Sequence, residues 1–161
     1  MFGMGNRCNG GLYVLFLDYD GTPIEWVLEE VRMLQERYRG LLGSAYLFRT
    51  KHGVHVVFLE KHPIGEIVEM MRLTSCDLQY QHVPMKYARR VWVLRQSPKK
   101  DEQLEYYGVV PSEIKGVVDR SRAHKLWMKA NYSIPEKDFE RGGTFDLETD
   151  IIVGHYHVSD K

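Results

Sequence analysis

The stretch that most constrains this chain is Leu12 to Thr22, LYVLFLDYDGT. It is an apolar run closed by two carboxylates one residue apart and then a glycine. A short apolar run that ends at a turn signal reads as a buried strand. Side chains alternate faces along a strand, so Asp18 and Asp20 point the same way. Two ionised carboxylates on one face repel each other, and a divalent cation relieves that repulsion. Oxygen donors of this kind suit Mg²⁺ or Mn²⁺, which keep waters and share substrate phosphates. The same residues also serve a plain Asx-type turn, in which Asp20-Gly21 does no more than close the strand.

A chain of 161 residues, 43% hydrophobic and 27% charged, is expected to fold as one soluble domain with a sizeable core. Its formal net charge of zero announces no nucleic-acid partner, so only a local cluster can argue for one. Cys8 and Cys76 form neither a CxxC motif nor a disulfide framework and fit a reducing cytoplasm. The Gly-rich residues 1–11 read as a flexible lead-in, too short and polar for a signal peptide. No apolar run approaches the ~18 residues of a membrane span.

After the acidic strand, Thr22-Pro23-Ile24-Glu25 has capping-box spacing with proline at the first helical position. Apolar residues at helical spacing from Ile24 to Tyr38 predict a helix over 23–39, ended by Gly40 and Gly43. Its Glu29, Glu30 and Glu36 read as a solvated face. Ser44 to Glu60 reads as a hairpin turning at Lys51-His52-Gly53, with His55 opening the second strand. Pro63 to Leu73 is a second helix, and Met70-Met71 within it reads as core filler. Val91 to Arg95 is a strand. Between Met85 and Lys100 lie Lys86, Arg89, Arg90, Arg95, Lys99 and Lys100 with no acid among them, a positive patch that suits phosphates or else a solvated face. Ser112 to Asn131 looks helical, and Phe145 to Val158 holds one or two strands. His155 and His157 have the spacing of a metal pair but read as surface residues. An adjacent hairpin excludes a purely parallel doubly wound sheet. The order favours an α+β layer, with helices on one face of a largely antiparallel sheet and the other face open for a site.

These residues resemble the archaeo-eukaryotic primase superfamily, the primase-polymerases. The family's strand ending in acid-x-acid corresponds to Phe16-Leu17-Asp18-Tyr19-Asp20. Its hydroxyl residue, turn and strand-opening histidine correspond to Thr50-Lys51-His52-Gly53-Val54-His55, with threonine for the usual serine and Lys51 where a glycine is common. Its apolar-aspartate pair corresponds to Cys76-Asp77, and its later basic strand to Leu94-Arg95-Gln96-Ser97. The likeness runs from about Leu12 to Ser97; nothing after Lys100 matches, and no zinc-binding cysteine cluster is present.

The resemblance implies an RRM-like core with a mixed sheet, a catalytic core over 12–100 and a C-terminal extension over 101–161. It implies a nucleotidyltransferase in which Asp18, Asp20 and Asp77 hold two Mg²⁺ or Mn²⁺ ions. Such a pair steadies the attacking and leaving oxygens of an in-line displacement. Thr50, Lys51, His52, His55 and Arg95 would meet the nucleoside triphosphate. Lys86, Arg89, Arg90, Lys99 and Lys100 would track a DNA or RNA template, with Tyr87 or Trp92 as a stacking surface. Other replication proteins are possible partners; a membrane is not.

Three other readings compete. Leu17-Asp18-Tyr19-Asp20-Gly21-Thr22 also looks like the nucleophile loop of a haloacid dehalogenase-type phosphatase, in which Asp18 attacks phosphorus and Asp20 is the acid/base. Against it, Thr50 is followed by a strand rather than a helix, and Asp146 and Asp150 reproduce the late acidic pair poorly. A non-catalytic nucleic-acid-binding module is the second reading, and a rolling-circle nuclease built on His155 and His157 is a remote third.

Overall fold

The computed structural model describes residues 2–86, 91–95, 104–112, 119–139, 144–149 and 153–155. In chain order the strands are β1 (Phe2–Gly5), β2 (Phe16–Asp20), β3 (Ala45–Arg49), β4 (Gly53–Phe58), β5 (Val93–Arg95), β6 (Glu105–Val110) and β7 (Val153–His155). The helices are α1 (Ile24–Arg37), α2 (Ile64–Arg72), α3 (Leu78–Lys86) and α4 (Arg122–Asn131). The chain is therefore α+β. A four-stranded sheet runs β2-β4-β3-β6 and a three-stranded sheet runs β5-β1-β7. Every pairing within them is antiparallel. The mixed sheet that the resemblance implies reduces, among the described residues, to one parallel bridge between Arg120 and Phe145.

Leu17 and Tyr19 of β2 are buried on the face that carries α1, where the Tyr19 hydroxyl donates to Glu30 at 2.9 Å. Val27, Val31 and Leu34 are the buried residues of α1 that match this face, at the helical spacing the sequence shows. Pro23 is not inside the helix. Its ψ of 144° makes it the cap, and its carbonyl accepts from Val27. The hydroxyl of Thr22 therefore does not form a capping box. Pro63 opens α2 in the same way.

The second face of the sheet is also covered, against the expectation of helices on one face only. Phe16 meets His124 of α4 edge-on at 5.8 Å, Phe48 lies 4.6 Å from Tyr132, and Tyr46 stacks on Phe139 at 5.0 Å. Tyr46 and Phe48 on alternate positions of β3, with Phe16 of β2, need an apolar lid, and the segment after residue 119 supplies it. Of the helix expected from Ser112 to Asn131, the described part is α4, capped by Ser121, which accepts from the His124 amide; residues 113–118 lie outside the described residues. His124 is wholly buried and bonded to the Gly5 carbonyl through Nε2 at 2.8 Å. A carbonyl only accepts, so Nε2 carries the proton and Nδ1 accepts from the Ser121 hydroxyl at 2.6 Å.

The opening residues, whose composition suggests a flexible lead-in, form the central strand of the smaller sheet. Asn6 anchors it. Fully buried, it exchanges bonds with Trp92 through both backbone and side chain and donates to the Val14 carbonyl. A polar residue fits a core when each of its groups is bonded in this way. Among the described residues no helix is long and apolar enough to cross a membrane.

Two buried ionisable groups set a pH response. Glu60 lies 1% exposed, accepts from the Gly43 amide at 2.8 Å and sits opposite the buried Arg120. Burial pushes its carboxyl up to about 7. Burial pushes His124 down to about 4. Between its ordinary value of 4.5 and 7, folded Glu60 holds a proton that the unfolded chain releases, so stability falls as pH rises. Between 4 and 6.5 the unfolded chain holds a proton that folded His124 refuses, so stability rises with pH. Each effect amounts to about 3 kcal/mol across its window, and they oppose each other. Buried His62 is also held below its ordinary value and adds to the histidine effect, so the urea midpoint of the wild type should rise only gently from pH 4.5 to 6.5. Glu60→Gln should expose the histidine effect as a midpoint that climbs steadily over that range; a flat profile in the variant would refute the assignment.

Candidate functional site

Three sequence motifs, each in a separate part of the chain, meet at one end of the four-stranded sheet. β2 and β4 pair with Asp18 opposite His55 and Asp20 opposite Gly53. The backbone bonds from Phe58 to Leu15 and from Gly21 to His52 place the ladder on the odd-numbered residues of β2. Asp18 and His55 are thus a non-hydrogen-bonded pair, the kind whose side chains lie closest. Their side chains touch, Asp18 Oδ1 to His55 Nε2, at 3.3 Å. His55 is buried, while the Asp18 side chain keeps 31% of its surface open.

The same parity turns the Asp18 backbone toward the free edge of β2. Its amide points to the Cys76 sulfur, and its carbonyl accepts from both the Cys76 thiol and the Asp77 amide, at 3.3, 3.3 and 2.8 Å. Burial pushes the Cys76 thiol up to about 12, so it remains a neutral donor. Residues 76–77 therefore close the open edge of β2, where unpaired backbone groups would otherwise be exposed. They also bring the third acidic residue beside the first.

The hairpin turn completes this end of the sheet. Gly21 has φ 72° and donates to the His52 carbonyl at 2.7 Å, which ties the end of β2 to the 50–53 turn. A Cβ on Gly53 would fall 1.8 Å from the Tyr19 carbonyl oxygen, so no side chain fits there. Thr50 is half-buried, and Lys51, His52 and Asp20 are exposed around the turn.

The Asp77 carboxylate also has a structural role, since Oδ1 accepts from the Gln79 amide at 3.2 Å and caps α3. Among the described residues no three His, Cys, Asp or Glu side chains converge as a ready-made cation cage. The donor chemistry nevertheless fits a hard cation held by one or two carboxylates, with waters and substrate oxygens completing the shell, as is usual for Mg²⁺. Asp18, Asp20 and the second oxygen of Asp77 are the donors that would hold such an ion.

Sequence reasoning missed α3 and two residues near the acids. Tyr80, on the first turn of α3, is buried with its hydroxyl unpartnered among the described residues. Burial holds its pKa well above the ordinary value, and the charges of Asp18 and Cys76 add to the shift. Glu30, read as solvated, bonds to Tyr19, Trp26 and Ser75. Trp92, expected as a stacking surface, is instead 3% exposed and donates to the Gln81 carbonyl. Arg95 lies in β5 opposite Gly3, and Lys86 ends α3. Tyr87, Arg89, Arg90, Lys99 and Lys100 lie outside the described residues, as does His157. His155 pairs with Phe2 in the smaller sheet. Comparison with protein-family models, curated proteins and solved structures finds no match.

Proposed function

We propose that this chain is a metal-dependent nucleotidyltransferase of the primase-polymerase kind, joining nucleoside triphosphates on a DNA or RNA template. The observation that carries this reading is the junction of Asp18, His55 and Asp77, three residues far apart in sequence that share one strand end through a side-chain contact and a backbone bond. The order β2-α1-β3-β4-α2, with β4 between β2 and β3, supports an RRM-like core. Two buried free thiols support a reducing compartment such as the cytoplasm.

On this reading Mg²⁺ or Mn²⁺, when bound, neutralises charge on the triphosphate. The chain's own residues do the positioning, which is most of what phosphoryl transfer requires. Thr50, Lys51 and His52 offer donors and positive charge from the turn. His55 holds Asp18 in place and is available to the phosphates once Asp18 engages a cation. Arg95 would add a phosphate contact, and Lys86, Arg89, Arg90, Lys99 and Lys100 would follow the template backbone. The phosphatase alternative is disfavoured by two features: the sheet around Asp18 is antiparallel, and Thr50 leads through a hairpin directly into β4.

The two enzymes separate in one assay. With Mn²⁺, a primed template and labelled nucleoside triphosphates, incorporation should occur with pyrophosphate as the leaving product. Phosphate release from a phosphomonoester without any incorporation would reverse the assignment. His55→Ala should raise the KM for nucleotide about tenfold and leave template binding unchanged. Loss of the buried imidazole should also cost about 1–2 kcal/mol in thermal melting. A stability loss with unchanged KM would leave His55 a structural residue only.

A further inference from the structure

We propose that Glu30 is a positioning residue that fixes Asp77 beside Asp18, an inference that rests on the nucleotidyltransferase reading. Its carboxylate gathers four donors, from β2, from α1 and from the loop between α2 and α3. The Tyr19 hydroxyl of β2 donates at 2.9 Å and the Trp26 indole of α1 at 3.2 Å. The Ser75 amide reaches both carboxylate oxygens, at 2.9 and 3.0 Å, and the Ser75 hydroxyl donates at 3.0 Å. A carboxylate only accepts, so it suits a point where four donors converge; charge-assisted bonds of this kind are roughly twice as strong as neutral ones.

The placement explains why this matters for the site. Ser75 precedes Cys76 and Asp77, the two residues that bond to the Asp18 backbone. Tyr19 follows Asp18 on β2 and points to the opposite face. Glu30 thus holds the acidic strand from behind and the 75–77 segment from the side, and neither can shift without breaking bonds to it. The bond from the Asp77 amide to the Asp18 carbonyl, at 2.8 Å, sets the approach of the two residues, and Glu30 secures the 75–77 segment that makes it.

The test compares wild type, Glu30→Ala and Glu30→Gln. Amide hydrogen exchange reads the segment directly. In Glu30→Ala the Asp77 amide should exchange at least tenfold faster, while amides within β3 and β4 keep their protection. Incorporation assays should show the Mn²⁺ concentration for half-maximal rate raised about tenfold, with the rate at saturating Mn²⁺ within threefold of wild type. A structural role alone would lower all folded activity without moving the Mn²⁺ dependence. Glu30→Gln keeps the size but presents an amide to donors, so it should show the same changes more weakly; it carries the test if Glu30→Ala does not fold. Unchanged Asp77 exchange, or an unmoved Mn²⁺ dependence in an active variant, would overturn the proposal. If wild type incorporates no nucleotide, the enzyme reading fails, while the exchange result still decides whether Glu30 holds Asp77.

Discussion

Replacing Asp18 by Asn is expected to lower template-directed incorporation by about three orders of magnitude, equivalent to about 4 kcal/mol of transition-state stabilisation. The substitution removes one charge from the residue on which the site is built. It leaves the backbone bonds from Asp18 to Cys76 and Asp77 intact, and the amide oxygen of Asn can still meet His55. Melting should therefore change by less than about 1 kcal/mol. Single-turnover incorporation at saturating nucleotide and Mn²⁺ measures the effect. A variant within tenfold of wild type would show that the Asp18 carboxylate takes no part in the chemistry.

Gly53→Ala is expected to cost about 4 kcal/mol, at the upper end for a single methyl group. The clash is with backbone: the added carbon would lie 1.8 Å from the Tyr19 oxygen and 2.9 Å from its carbonyl carbon. Relief requires β2 and β4 to separate at the Asp20–Gly53 pair. Gly21→Ala provides the contrast. Gly21 has φ 72° but open space around its Cβ position, so only backbone strain opposes the change, at about 1–2 kcal/mol. Urea unfolding of both variants gives the comparison; equal losses would contradict the close approach of the two strands.

The parts of the fold legible in the sequence are those where one strong pattern speaks. The apolar run into Asp18, the helical spacing from Ile24 and the hairpin around Gly53 all appear as β2, α1, β3 and β4. Elements built on mixed signals are not legible. In α3, polar Gln79, Gln81 and His82 blur the apolar face and Pro84 reads as a breaker, so Asp77 shows as an acid while its capping role stays hidden. β6 is concealed because Gly108 interrupts it and Tyr107 bulges out at the Leu47/Phe48 register shift. β1 is hidden by a composition that reads as mobile. Glu30 illustrates a general limit: on a helix a carboxylate beside other carboxylates reads as solvated, and only the approach of β2 and Ser75 gives it partners.

The candidate site is legible as a set of residues but not as a geometry. Alternation places Asp18 and Asp20 on one face. It cannot show that Asp18 already engages His55, or that Asp77 arrives by a backbone bond on the strand edge. Both depend on the odd-numbered ladder between β2 and β4, which periodicity does not determine.

The central claim is that a divalent cation and a triphosphate bind where these motifs meet. A crystal structure with Mn²⁺ and a non-hydrolysable nucleoside triphosphate measures this directly. The account predicts anomalous density within coordination distance of Asp18, with Asp20 or Asp77 completing the protein donors and the phosphates lying along Thr50, Lys51, His52 and His55. Nucleotide bound elsewhere, or Mn²⁺ density away from Asp18 with the Asp18–His55 contact still closed, would contradict it.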